Sequence, residues 1–116
     1  MKRGLEATSD QLPFGELDDL LQHRARLGAA VLLARHEQLS FSRLKALLDE
    51  TDGNLGAQMR KLEDAGYVVA RKEFQDRRPV TWYALTAKGD RVLSQHLANL
   101  ERLIQHGLLW RSARTR

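Results

Sequence analysis

The chain has 116 residues, of which 42% are hydrophobic and 29% charged, the balance of one globular domain with a single core. Nineteen Lys and Arg against fifteen Asp and Glu give a net charge of +4, which permits a polyanion partner without demanding one. With no cysteine, disulfides and thiolate chemistry are excluded. No apolar run reaches the roughly 18 residues of a membrane helix. The segment Met1–Glu6 lacks the apolar stretch of a secretory signal, so the expected location is the cytoplasm.

Residues 1–12 combine glycine, serine, threonine and charges without periodicity and read as a flexible tail. Pro13 suits a first helical turn. Leu17, Leu20, Leu21, Leu27, Val31 and Leu32 then recur at helical spacing to about Arg35. Gly28 interrupts this run, and the pattern predicts two helices with a break near His23–Arg24. A polar link, His36–Gln38, leads to a short helix capped by Ser40 or Ser42, with Leu44, Leu47 and Leu48 on its buried side. After a turn at Asp49–Asp52, Thr51 or Asp52 caps the next helix, and Gly66 provides its left-handed stop. Two β-rich runs, Tyr67–Phe74 and Val80–Leu85, flank a polar tip at Gln75–Pro79 and read as a hairpin. Thr86 caps a last helix in which Leu93, Leu97, Leu100 and Ile104 form a narrow apolar seam. Residues 108–116 read as a basic, frayed tail, and Trp110 has no evident core partner there.

The helix after Thr51 carries the chemistry. At about 100° per residue, Leu55, Met59 and Leu62 share the core face. Asn54, Ala57 and Lys61 share a face away from it, with Gln58 on its margin and Arg60 beyond. Amide and cationic side chains suit base edges in a major groove. Small residues, Gly56 and Ala57, let a helix backbone approach a duplex, and the free N–H groups at the helix start suit a phosphate. Polar residues on one helix are more often a solvated face. The hairpin adds Arg77 and Arg78, adjacent like charges at a tip where folding has no use for them, and such arginines enter minor grooves or meet phosphates. Lys72 on the same hairpin joins them as a wing cation.

The stretch TDGNLGAQMRKLEDAGYVVARKEFQDRRPVTWYALTAKG resembles the winged helix of MarR-like transcriptional regulators, in particular their compact members. The matching residues are Thr51, Asp52, Gly53, Asn54 and Leu55; Leu62, Glu63, Ala65, Gly66 and Tyr67; Arg77, Arg78, Pro79, Thr81 and Tyr83; and Thr86 and Gly89. Gly56 and Gln58 depart from the Ser and His common at those places. ArsR-like and PadR-like regulators share the architecture. The resemblance implies a mostly helical α+β fold: a winged helix-turn-helix over residues 13–107 with flanking N- and C-terminal dimerisation helices. It implies a sequence-specific DNA-binding transcriptional regulator, a repressor by the commonest mode, acting as a homodimer on a pseudo-palindromic operator. Double-stranded DNA would be met by Thr51, Asn54, Ala57, Gln58, Arg60 and Lys61 of the reading helix and by Lys72, Arg77 and Arg78 of the wing. The dimer would use Leu17, Leu20, Leu21, Leu93, Leu97, Leu100 and Ile104. The alternative is a winged-helix protein-interaction module, which would not need those polar residues to converge.

Other chemistry finds little support. His23, His36, His96 and His106 lack metal-ligand spacing, and solvation or packing accounts for them better. The adjacent Asp18 and Asp19 suit a helix start rather than a paired-carboxylate site. No nucleophile motif or glycine-rich phosphate loop is present. The expectation is therefore a non-enzyme without metal or cofactor, whose small-molecule effector, if one exists, the sequence does not name.

Overall fold

The computed structural model describes Phe14 and residues 17–114, excepting the side chains of 110 and 112–114. The expected tail at 1–12, the helix start at Pro13 and the packing of Trp110 lie outside the described residues.

A short 3-10 turn, Asp19–Gln22, opens the fold, with the Asp18 carboxylate accepting from the N–H groups of Leu20 and Leu21 at 2.9 and 3.2 Å. His23 is extended, and helix α1 runs Arg24–Arg35. The expected break is therefore at His23, whose Nδ1 caps the new helix by accepting from Ala25 N–H at 3.2 Å. Gly28 does not break α1. A Cβ there would lie 2.6 Å from Leu48 Cδ2, so the glycine lets the next helix approach.

Strand β1, Leu39–Ser40, precedes α2, Phe41–Leu48, and Ser40 caps α2 by accepting from Arg43 N–H at 3.1 Å. Asp49, in the left-handed region at φ 54°, ends α2. Helix α3, Asp52–Asp64, starts where Thr51 Oγ1 accepts from Asn54 N–H at 3.1 Å and stops at Gly66, φ 80°. Strands β2, Val68–Gln75, and β3, Arg78–Leu85, follow in register from Val68 opposite Leu85 to Gln75 opposite Arg78.

The hairpin tip is shorter than the sequence reading has it. Asp76 and Arg77 both take positive φ, 50° and 68°, the two-residue turn whose twist matches the strands. Pro79 is thereby inside β3. The Gln75–Arg78 pair closes the turn, so the nitrogen of Pro79 faces away from β2, on a side where β1 does not reach. The sheet order is β1-β3-β2, with Leu39 opposite Tyr83.

Helix α4 spans Ala87–Arg114, about 42 Å at 1.5 Å per residue, and passes the boundary at 107 where a frayed tail was expected. Its first turn is fixed to the end of α3. Thr86 Oγ1 accepts from Gly89 N–H at 2.9 Å and donates to Gly66 O at 2.6 Å, while Lys88 Nζ donates to Ala65 O at 2.9 Å.

The core gathers Ala29 and Leu33 of α1, Leu44 of α2, Leu55, Met59 and Leu62 of α3, Val68 and Tyr83 of the hairpin, and Leu93 of α4. Leu21 is 1% exposed and Leu93 2%, so two residues expected to meet a partner chain are already covered by their own. Leu17, Leu20 and Leu100 are half-buried. The seam divides because α4 outruns the core. Leu93 closes the core, whereas Leu97, Ile104, Leu108 and Leu109 are exposed beyond it. Four helices and a three-stranded antiparallel sheet in this order make a winged helix-turn-helix.

Candidate nucleic-acid interface

The turn between α2 and α3 is held by Glu50 N–H donating to Lys45 O at 3.2 Å and by the Lys45–Asp52 ion pair at 2.9 Å. This brace presents the outer face of α3. Thr51, Asn54, Ala57, Arg60 and Lys61 are all exposed along it.

Gln58 is the correction. Only 7% exposed, it sits inside rather than on the margin of the outer face. Its carbonyl accepts from Arg26 of α1, and its Nε2 donates to Asn54 Oδ1 at 3.3 Å. The helical angle alone left Gln58 between two faces, and Arg26 decides the matter by offering a partner on the inner side. A buried amide costs free energy unless bonded, and this one is bonded at both ends.

On the wing, Lys72, Arg77 and Arg78 are exposed. Arg71 is already paired with Glu73 and donates to Gln38 at 2.9 Å. Glu73 also accepts from Trp82 Nε1 at 2.9 Å. Among the described residues, Arg60, Lys61, Lys72, Arg77 and Arg78 form no ion pair, so their charge is available to an external anion.

Helix and wing meet around a groove of about 540 Å³. Arg60 and Glu63 line it from α3, and Lys72, Thr81 and Tyr83 from the hairpin, with Gly56 leaving its helical side open. Burial first, then the charge of Glu63, pushes the Tyr83 hydroxyl above its ordinary value, and Arg60 opposes the shift. By strand alternation Lys72 stands on the sheet face of Tyr83 and Thr81, and Arg78 on the other. The structure thus brings Arg60 and Lys72 to one groove and leaves Arg77 and Arg78 at the wing tip, away from it.

Three features escaped the sequence reading. Arg26 and Glu50 are tied to the outer face of α3 through side-chain hydrogen bonds, and their spacing carries no signal for that. Phe74, opposite Pro79 near the wing tip, is 76% exposed where a strand residue of that type is usually covered.

The histidines divide. His96 is buried at 2% exposure, and its Nδ1 accepts from the backbone N–H of Asp18 at 2.9 Å. Asp18 also accepts from the Tyr67 hydroxyl. Among the described residues no group of three or more His, Asp or Glu could hold a metal ion, and no helix is long and apolar enough to cross a membrane.

A family model described as a winged-helix DNA-binding domain matches residues 25–104. Among solved structures, the transcriptional regulator homologue from Pyrococcus horikoshii OT3 is similar at 30% identity over 93% of this chain and 98% of its own, with a TM-score of 0.71. MarR is similar in fold at 20% identity, over 96% of this chain and 82% of its own, TM-score 0.70. YusO from Bacillus subtilis shares the fold at 18% identity, over 94% of this chain and 77% of its own, TM-score 0.72. No curated protein matches the sequence.

Proposed function

We propose, starting from a chain that belongs to the winged-helix DNA-binding domain family, that this protein is a transcriptional regulator that reads DNA as a homodimer. Helix α3 enters the major groove with Asn54, Ala57 and Lys61, and the wing meets phosphates or the minor groove with Lys72, Arg77 and Arg78. The observation that carries this reading is the set of unpaired cations on α3 and the wing, of which Arg60 and Lys72 flank one groove. Among the described residues the groove is lined by two cations, Arg60 and Lys72, against one acid, Glu63, so its net charge is positive, with the excess on the wing side.

The homodimer rests on α4. Leu97, Ile104 and Leu108 are 42%, 59% and 51% exposed along one side of a helix that outruns the core of its own chain. A stripe of that length in water favours a second copy over solvent. A two-fold pair places two reading helices on half-sites about 10 bp apart or a multiple of that, hence a pseudo-palindromic operator. Repression by covering a promoter is the simplest consequence of such binding.

In vitro selection from a random duplex pool tests the reading. The expected result is an enriched motif with two-fold symmetry. A protein that retains no duplex at low salt, where nonspecific electrostatic binding is strongest, is instead an interaction module.

A further inference from the structure

A chain of side-chain hydrogen bonds runs from α1 to the outer face of α3. Arg26 Nε donates to Leu20 O at 2.6 Å, which anchors the guanidinium. Its Nη1 donates to Gln58 Oε1. Gln58 Nε2 then donates to Asn54 Oδ1 at 3.3 Å, and Asn54 Nδ2 donates to Glu50 Oε1. Glu50 is itself held, its side chain 11% exposed and its other oxygen 3.8 Å from Arg24 Nε.

The two ends of this chain fix its direction. An arginine only donates and a carboxylate only accepts. Gln58 must therefore turn its carbonyl to Arg26, which leaves its NH2 for Asn54. Asn54 must turn its carbonyl to Gln58 and its NH2 to Glu50. Reversing either amide would set donor against donor at one end and acceptor against acceptor at the other. Asn54 is exposed, and an exposed asparagine is ordinarily free to rotate its amide. Here it is not.

From this geometry, and resting on the DNA-binding reading above, we infer that Arg26 and Gln58 are positioning residues that preset the Asn54 amide to read an adenine in the major groove. The relay uses one lone pair of Oδ1 and one N–H of Nδ2, and each atom keeps one of its kind. That remaining acceptor–donor pair matches the N6–H donor and N7 acceptor of adenine. A rotated amide would offer donor to donor. Gln58, being buried, acts only through Asn54, and Arg26 acts through both.

The test compares full-length wild type with Asn54→Ala, Gln58→Glu, Arg26→Met and Arg26→Lys by in vitro selection and binding titration. Glutamate at 58 keeps the partner of Arg26 but can only accept from Asn54. It competes with Glu50 for the Asn54 NH2 and leaves the Asn54 carbonyl without a donor. In wild type one adenine per half-site is expected, and Asn54→Ala removes the preference. Gln58→Glu and Arg26→Met should reduce discrimination at that position by about tenfold, while Arg26→Lys, still a donor, keeps it. The other motif positions and the salt slope should stay near wild type, while Arg26→Met, which leaves the buried Gln58 carbonyl without its donor, lowers the melting temperature without altering them. If Gln58→Glu does not fold, the Met and Lys variants at 26 carry the comparison. Adenine preference retained by Gln58→Glu and Arg26→Met overturns the relay, as does a uniform loss across all positions, which is the mark of a merely structural role. A motif unchanged by Asn54→Ala also overturns it. In each of these cases DNA binding itself stands. A wild type that binds no duplex overturns the DNA-binding reading, and the relay with it.

Discussion

Gly89 sits in the first turn of α4, directly against the chain that leaves α3. An added Cβ would lie 2.1 Å from the carbonyl oxygen of Tyr67, 2.9 Å from its carbon and 3.0 Å from Leu85 Cδ1. Comfortable contact is nearer about 3.5 Å, so the backbone must part by roughly 1.4 Å. Tyr67 O cannot retreat freely, because it accepts from Thr86 N–H at 2.9 Å in the same joint. Overpacking costs about 1–3 kcal/mol, and a backbone neighbour puts this case at the upper end. The higher helix propensity of alanine returns about 1 kcal/mol. Gly89→Ala should therefore lose about 2 kcal/mol net, a fall in melting temperature of roughly 10 °C for a domain of this size. Gly56→Ala is the matched control. Gly56 lies inside α3 with nothing within 4 Å of an added Cβ, so only the propensity gain remains, about 1 kcal/mol and roughly 5 °C upward. Thermal and urea unfolding measure both. Equal shifts for the two variants, or a Gly89→Ala protein that melts within about 2 °C of wild type, would refute the close-approach argument.

Alkaline titration should weaken the fold. Burial, then the hydrogen bond to Asp18 and the charge of Asp18, push the Tyr67 hydroxyl from 10.0 up to about 12. The folded chain keeps a proton there that the unfolded chain gives up, so this stabilisation is complete below pH 10 and is lost as pH rises to about 12. Tyr67→Phe should flatten the decline seen in urea melts across that window, with a residual slope from Tyr83, which is raised in the same direction. For the wing, Arg77→Ala with Arg78→Ala should weaken specific and random DNA alike and reduce the salt slope by about one unit per lost phosphate contact; an unchanged slope removes those arginines from the interface. For the dimer, Leu97→Glu with Ile104→Glu should give a folded 13.2 kDa monomer in sedimentation, since both side chains are exposed in the single chain. A wild type that already sediments at that mass sinks the homodimer.

The sequence made the local parts legible and left the long-range ones hidden. Thr51, Ser40 and Gly66 announce the caps they form, because capping is a matter between near neighbours. The break near His23 is where the sequence places it, but for another reason: Gly28, which suggested two helices, lies within α1, and the break comes from the extended His23. Strand β1 was not, since two residues show no alternation and the pairing partner of Leu39 is Tyr83, far along the chain. The two-residue turn was masked by Pro79, which reads as loop until its nitrogen is seen to face an unpaired edge. In the candidate interface, Asn54, Ala57, Arg60 and Lys61 are outward as their helical angle requires. Gln58 is not, because an angle near the boundary is settled by what lies across it, and Arg26 comes from another helix. The seam on α4 was visible as a period, but period does not tell where a helix leaves its own core.

That departure matters for how the parts would work together. The end of α3 and the start of α4 are joined through three consecutive carbonyls, of Ala65, Gly66 and Tyr67, which accept from Lys88, Thr86 Oγ1 and Thr86 N–H. Lys88 also lies over the Tyr67 ring, 5.7 Å from its centre. Tyr67 in turn donates to Asp18, and Asp18 N–H donates to His96 further along α4. The joint therefore has two separated points of attachment along α4, at residues 86–89 and at His96, and two separated points on one helix fix direction as well as position. A change in the angle of α4 would strain these hydrogen bonds and so be passed to the end of α3. In a homodimer held by the outer stretch of α4, the separation of the two reading helices is then set by how the α4 helices cross. Softening the joint, as Gly89→Ala would, should broaden the half-site spacing that the dimer accepts, even where each half-site is still read by the same residues.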